Sequence, residues 1–272
     1  MTVDKLQTFY GFTRPPFGRD LAPGQLFGSA GHKEAVARIG WLIDQAGIGV
    51  ITGEVGAGKS VAARAATSRL DASRHTVIYL PNPAIGGRGL HMHLVYALGG
   101  IPRFHTAALI AQTQDLLAAE VDEKNKSVLL AVDEAHLLAN DQLEQLRLLT
   151  SGTDFDSGSP LAVVLLGQPT LRRRLKLGHF AALDQRIALR YHLDGLTLEE
   201  TAAYIAHSLT IAGRSDPMFS DDAVALIHRT ARGIPRAINN LATAALVAAY
   251  VNDSTIVDES SAKTAVAEVT AE

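Results

Sequence analysis

The sequence predicts an α/β fold: a five-stranded parallel sheet covered by helices, followed by a small all-helical domain. Three observations carry this. Short apolar runs alternate with helical patterns between residues 48 and 193, a glycine-rich loop joins the first apolar run to a helix, and strand patterns cease after about residue 195. Alternation of this kind argues for parallel strands with helices on both faces. The uninterrupted apolar runs Val128-Leu129-Leu130-Ala131-Val132 and Leu161-Ala162-Val163-Val164-Leu165-Leu166 read as strands buried on both sides.

Taken in order, residues 1–30 combine Pro15, Pro16 and several aromatics, and the prolines predict an extended arm rather than a helix. Residues 31–46 place Val36, Ile39, Leu42 and Ile43 on one helical face. Strands are expected at 48–52, 76–80, 127–132, 161–166 and 189–193, and helices at 59–70, 89–98, 106–121, 140–150 and 170–177. The run 154–160 reads as a loop by its turn residues. Thr197-Leu198-Glu199-Glu200 is a capping box that opens a helix to about Ile211. Ser220 and Asp221 start a second helix ending near Gly233, Pro235 begins a third, and a fourth covers 258–269. The domain boundaries expected are 1–30 for the arm, 31–194 for the α/β domain and 195–272 for the helical one.

Composition sets limits. Of 272 residues, 47% are hydrophobic, enough for a packed core, and the net charge of −3 gives no bulk attraction towards nucleic acid or an acidic membrane. Any such contact must come from a local patch. With no cysteine, disulfides and thiolate metal sites are excluded. The N-terminus lacks a signal-peptide pattern, and the apolar stretch 241–251 is too short to span a bilayer. A cytoplasmic protein without a membrane segment is expected.

The chemistry begins at Gly53-Glu54-Val55-Gly56-Ala57-Gly58-Lys59-Ser60, which fits the phosphate-binding pattern G-x-x-x-x-G-K-[ST] between a strand and a helix. Its backbone N–H groups and the helix N-terminus would face the phosphates of ATP. Lys59 would reach the β- and γ-phosphates, and the Ser60 hydroxyl would ligate Mg²⁺. Asp133 and Glu134 end an apolar strand; Asp133 would hold Mg²⁺ and Glu134 would act as general base towards water. Gln168, after Val163-Val164-Leu165-Leu166-Gly167, either orients that water and senses the γ-phosphate or merely starts a turn before Pro169. Arg186, just before the last strand, is a candidate arginine finger for a neighbouring subunit's nucleotide, with Arg190 as the rival. Arg236, one residue after the helix-opening Pro235, would swing onto the phosphates from the helical domain.

Together these five features resemble a P-loop NTPase of the AAA+ class, in the order Walker A, Walker B, sensor 1, arginine finger and sensor 2. The finer resemblance is to the ExeA/GspA type, carried by Phe9-Tyr10-Gly11-Phe12, Pro15-Pro16-Phe17, Val132-Asp133-Glu134-Ala135-His136, Leu166-Gly167-Gln168-Pro169, Leu183-Asp184-Gln185-Arg186-Ile187 and Gly233-Ile234-Pro235-Arg236. Similar modules occur as stand-alone transposition ATPases of the TniB-like and MuB-like kinds. The resemblance implies an oligomeric ATPase, forming a ring or helical homo-oligomer that loads on double-stranded DNA and recruits or activates a transposase. ExeA-type secretion proteins carry a transmembrane segment and a peptidoglycan-binding part after this module; this sequence ends with the helical domain, so the stand-alone branch is the expectation. DNA contacts are expected from Arg88, His91, His93 and Arg103 with Asn82 nearby, while Arg172-Arg173-Arg174 with Lys176 is the densest basic cluster.

Overall fold

The computed structural model describes residues 3–18, 21–151 and 159–270. Most of the expected loop 154–160 lies outside them. Their contacts divide into two compact units: His32–Gly53 with Lys59–Leu193, and the described parts of Met1–Gly31 and Asp194–Glu272 with Glu54–Gly58.

The first unit is built on a five-stranded sheet of β1 (Ile48–Thr52), β2 (His75–Leu80), β3 (Ser127–Val132), β4 (Leu161–Gly167) and β5 (Ile187–His192), in the order β2-β3-β4-β1-β5. Every neighbouring pair is parallel. The apolar runs explain which strands are central: β1 and β4 are buried along their whole length, whereas edge strand β2 alternates and leaves Val77 and Tyr79 exposed. Register then fixes the site. Thr52 is opposite Gly167 and Val132 is opposite Leu165, so Gly53, Asp133 and Gln168 emerge at one edge of the sheet, beyond the carboxyl ends of the strands. β5 begins at Ile187, two residues before the expected start. A bulge against Ile48 and Gly49 accommodates Ala188 and lets the strand pair earlier.

Helices cover this sheet: α2 (Ala30–Asp44), α3 (Lys59–Thr67), α4 (Gly86–Ala97), α5 (Thr106–Asp122), α6 (Asn140–Leu149), α7 (Pro169–Leu175) and α8 (Ala181–Arg186). Leu90, Leu94, Leu117, Leu143, Leu146, Leu171 and Leu183 pack with Ile48, Val50, Leu130 and Val163 into one apolar core.

The second unit is helical: α1 (Val3–Tyr10), α9 (Leu198–Ile211), α10 (Asp221–Ala231), α11 (Pro235–Val251) and α12 (Glu259–Thr270). Its helix starts follow the sequence signals. Thr197 accepts the Glu200 N–H at 3.1 Å while Glu200 accepts the Thr197 N–H at 3.2 Å, and Ser220 accepts the Ala223 N–H at 3.2 Å. The expected extended arm at 1–30 is corrected by α1. The prolines lie beyond Tyr10, so they leave that segment free to be helical, and Gly11 at φ +70° ends the turn. The aromatics of this region belong to the unit's own core. Tyr10 is 1% exposed and donates to Leu246 O at 2.9 Å; Phe9 meets Tyr250 edge-on, and Phe27 meets Tyr204. Burial pushes the Tyr10 phenol up to about 12.

Candidate nucleotide site

The glycine loop is shaped by backbone conformations that a side chain would resist. Gly56 and Gly58 have φ of +85° and +101°, and the Ala57 N–H returns to Glu54 O at 3.1 Å. At the loop's base the Gly53 N–H bonds Gly167 O at 3.2 Å, tying it to β4. Lys59 opens α3; it is 8% exposed and donates to Gly53 O at 2.9 Å. A buried ammonium is costly unless an anion or several acceptors meet it, so its place at a helix N-terminus beside a glycine cradle fits a triphosphate. Ser60 follows on α3 and is exposed, Glu54 and Val55 are exposed at the loop's crest, and Ala57 is buried.

β3 delivers Asp133 in a buried position. Its two oxygens are held separately: the Glu134 N–H donates to Oδ1 at 2.9 Å and the Tyr79 hydroxyl donates to Oδ2 at 2.8 Å. Burial, that hydrogen bond and the charges of Asp133 and Glu134 push the Tyr79 phenol up, so it remains a donor. Tyr79 does not stand out in the sequence. Only the register of β2 on β3, which sets Tyr79 beside Ala131, reveals it.

Glu134 adopts a left-handed conformation, φ +49° and ψ +34°, before a short 3-10 turn Ala135–Leu137. Such a position costs about 1–3 kcal/mol for a residue with a side chain, and strain of this size is common at functional sites. Its carboxylate is half-exposed, and Oε2 lies 3.4 Å from the buried Nδ1 of His136, which has no hydrogen-bond partner among the described residues.

Gln168 precedes α7 and makes no side-chain cap to it. The two arginine candidates differ. Arg190 is engaged within its own chain, 2.9 Å from Asp184 Oδ1 and donating to Asp184 O at 2.7 Å. Arg186 is exposed at the end of α8, with one long bond to Thr150 O at 3.4 Å. In the helical unit, Arg236 runs along the loop crest: its N–H faces Gly56 O at 3.4 Å, and a Cβ added to Gly56 would stand 2.5 Å from Arg236 Cβ. Among the expected DNA contacts, His91 is 2% exposed and bonded to Thr113, so it is a core residue, and Asn82 caps its own turn by accepting the Ala84 N–H. Arg88 and Arg103 are exposed.

The donor set also suits Mg²⁺. One buried carboxylate and one hydroxyl leave the remaining positions to phosphate oxygens and water, as that ion prefers, and no cluster of three or more His, Asp or Glu metal ligands exists among the described residues.

The glycine cradle with its lysine follows β1, the two carboxylates follow β3, and β4 lies between those strands in the order β2-β3-β4-β1-β5. Residues 43–175 match the family model described as an AAA domain. The fold is AAA+. Over 250 residues, 90% of this chain, the sequence is 36% identical to general secretion pathway protein A of Aeromonas hydrophila, and it spans 45% of that protein's length. Solved structures share the fold: the ORC2 protein of Aeropyrum pernix (20% identity, TM-score 0.65, 94% of this chain and 72% of that one), Drosophila ORC bound to DNA (17%, 0.67, 98% and 66%) and Thermotoga maritima RuvB (17%, 0.60, 89% and 70%). Among the described residues no helix is long and apolar enough to cross a membrane.

Proposed function

We propose that this AAA+ chain is a Mg²⁺-dependent ATPase that assembles with ATP into a ring or helical homo-oligomer on double-stranded DNA and there recruits or activates a transposase. The observation that carries the oligomeric part is the contrast between two arginines. Arg190 is neutralised by Asp184, while the exposed Arg186 makes one long bond to Thr150 O and, among the described residues, no ion pair. A cation so placed suits a phosphate brought by another copy.

In the reaction, the loop amides of 53–60 and Lys59 grip the β- and γ-phosphates. Glu134 takes a proton from the attacking water as its oxygen bonds the γ-phosphorus; the bond to the β-phosphate oxygen breaks and ADP leaves with that electron pair. Ser60 and Asp133 would hold Mg²⁺, which would supply neutralisation of the phosphate charge. Gln168 orients the water, Arg186 meets the γ-phosphate from a neighbouring copy, and Arg236 makes the helical part, 195–272, respond to the nucleotide as a lid. DNA contacts fall to Arg88 and Arg103, with Arg172, Arg173 and Lys176 as a second exposed basic group. Fold likeness to ORC bound to DNA supports a DNA target, and a cytoplasmic location suits it.

Duplex binding and hydrolysis measured with ATP, with ADP and without nucleotide test this reading. ATP-dependent binding and DNA-stimulated turnover are expected; no binding at low salt contradicts it. The likeness to general secretion pathway protein A favours a second reading, the ATPase module of a membrane-assembly system. That reading expects turnover indifferent to DNA and association with a membrane or cell-wall component.

A further inference from the structure

Residues 72–114 contain no aspartate or glutamate, yet they hold Arg74, Arg88 and Arg103 and the histidines His75, His91, His93 and His105. In a chain of net charge −3 this is a local reversal. The turn between α4 and α5 lies within this segment and exposes two apolar side chains almost fully, Ile101 at 86% and Phe104 at 82%.

The turn is built to hold them outward. Gln112 Oε1 accepts the Arg103 N–H at 3.0 Å while its Nε2 donates to Ile101 O at 2.9 Å. The Gly100 N–H bonds Val95 O at 2.8 Å. Arg88 Nη2 donates to Phe104 O at 3.1 Å, and its guanidinium carbon lies 5.9 Å from the Phe104 ring centre. Backbone bonds that fix two exposed apolar side chains beside arginines, with no carboxylate in the segment, describe a surface awaiting a polyanion that also has an apolar interior.

We propose that this turn is a wedge for duplex nucleic acid, with Ile101 and Phe104 entering between base steps from the minor groove while Arg88 and Arg103 neutralise flanking phosphates. The inference rests on the DNA reading given above and names the contact that serves it. Charge complementarity favours this occupant over a second copy of the chain, whose net charge is too small to account for an acid-free segment. Two side chains are also too little for a bilayer, where one acyl chain alone anchors only marginally.

The test uses the full chain with a non-hydrolysed ATP analogue and Mg²⁺, and a duplex of about 30 base pairs carrying 2-aminopurine, whose fluorescence rises on unstacking. The parent protein brightens the duplex. Phe104→Ala abolishes the brightening and weakens binding about tenfold, the scale of one lost aromatic–base contact, and Phe104→Trp restores both. Unchanged melting and ATP binding in these variants exclude misfolding. If the parent binds the duplex and Phe104→Ala binds and brightens it equally, the wedge is wrong while DNA binding stands. If the parent binds no duplex, the DNA reading itself fails. Loss of ATP-driven self-assembly in Phe104→Ala without DNA makes the turn a subunit contact and overturns the proposal. So does Phe104-dependent binding to phosphatidylglycerol vesicles without duplex binding.

Discussion

The hydroxyl of Tyr79 is bonded to Asp133 Oδ2 at 2.8 Å, so an edge-strand side chain fixes the orientation of the buried carboxylate at the end of β3. The other oxygen is fixed by the Glu134 N–H. Partners of this kind set the direction of a metal-binding carboxylate and are worth roughly 10–100-fold in metal affinity. Tyr79→Phe is therefore expected to raise the Mg²⁺ concentration for half-maximal turnover about tenfold, while the affinity for ATP measured without Mg²⁺ stays put. Equal shifts in both would mean a structural role only.

Gly56→Ala tests the loop crest. The new methyl meets φ +85° and stands 2.5 Å from the Arg236 Cβ. The backbone strain alone is about 1–3 kcal/mol, so ATP binding is expected to fall at least tenfold by calorimetry. A tightly binding variant would show that the crest relaxes freely.

Most of this site is legible in the sequence because its parts are local. Glycines that need positive φ, a lysine opening a helix and carboxylates ending an apolar strand all sit within a few residues of the feature that explains them. The capping box at Thr197 and Glu200 is local in the same way. What the sequence hides is produced by pairing between distant segments. Tyr79 reaches Asp133 only through the register of β2 on β3. His91 looks like a surface cation yet is buried between α4 and α5. α1 shows the opposite failure: prolines at 15 and 16 suggest an extended arm, but their effect does not reach back as far as Tyr10.

His91 makes stability depend on pH. The Thr113 hydroxyl already donates to Leu109 O at 2.8 Å, so at 3.0 Å it accepts from His91 Nδ1–H, and the ring is buried neutral. Burial lowers its pKa below the ordinary 6.5. The unfolded chain then binds more protons than the folded one between the lowered value and 6.5, and stability falls as pH drops through that window. Urea melts at pH 7.5 and 5.5 should differ, with this group contributing at most about 1.4 kcal/mol per pH unit. His91→Gln, which cannot titrate, is expected to flatten the difference; an unchanged slope would assign it elsewhere.

Glu134→Gln keeps the shape of the proposed general base and removes its basicity. Nucleotide binding should persist while turnover falls about 10²–10⁴-fold. Parent-rate hydrolysis would transfer the proton acceptor to another group.

The central claim is that each ATP is completed by the adjacent copy, and mixing two inactive variants tests it most directly. Arg186→Ala should bind ATP and fail to turn over, since a trans-acting arginine is worth about 10³–10⁵ in rate; Lys59→Ala should fail to bind. Combined, the second variant lends its Arg186 to the intact phosphate loop of the first. The account predicts that the mixture hydrolyses ATP although neither component does. A mixture as silent as its parts, from proteins shown to co-assemble, would contradict it.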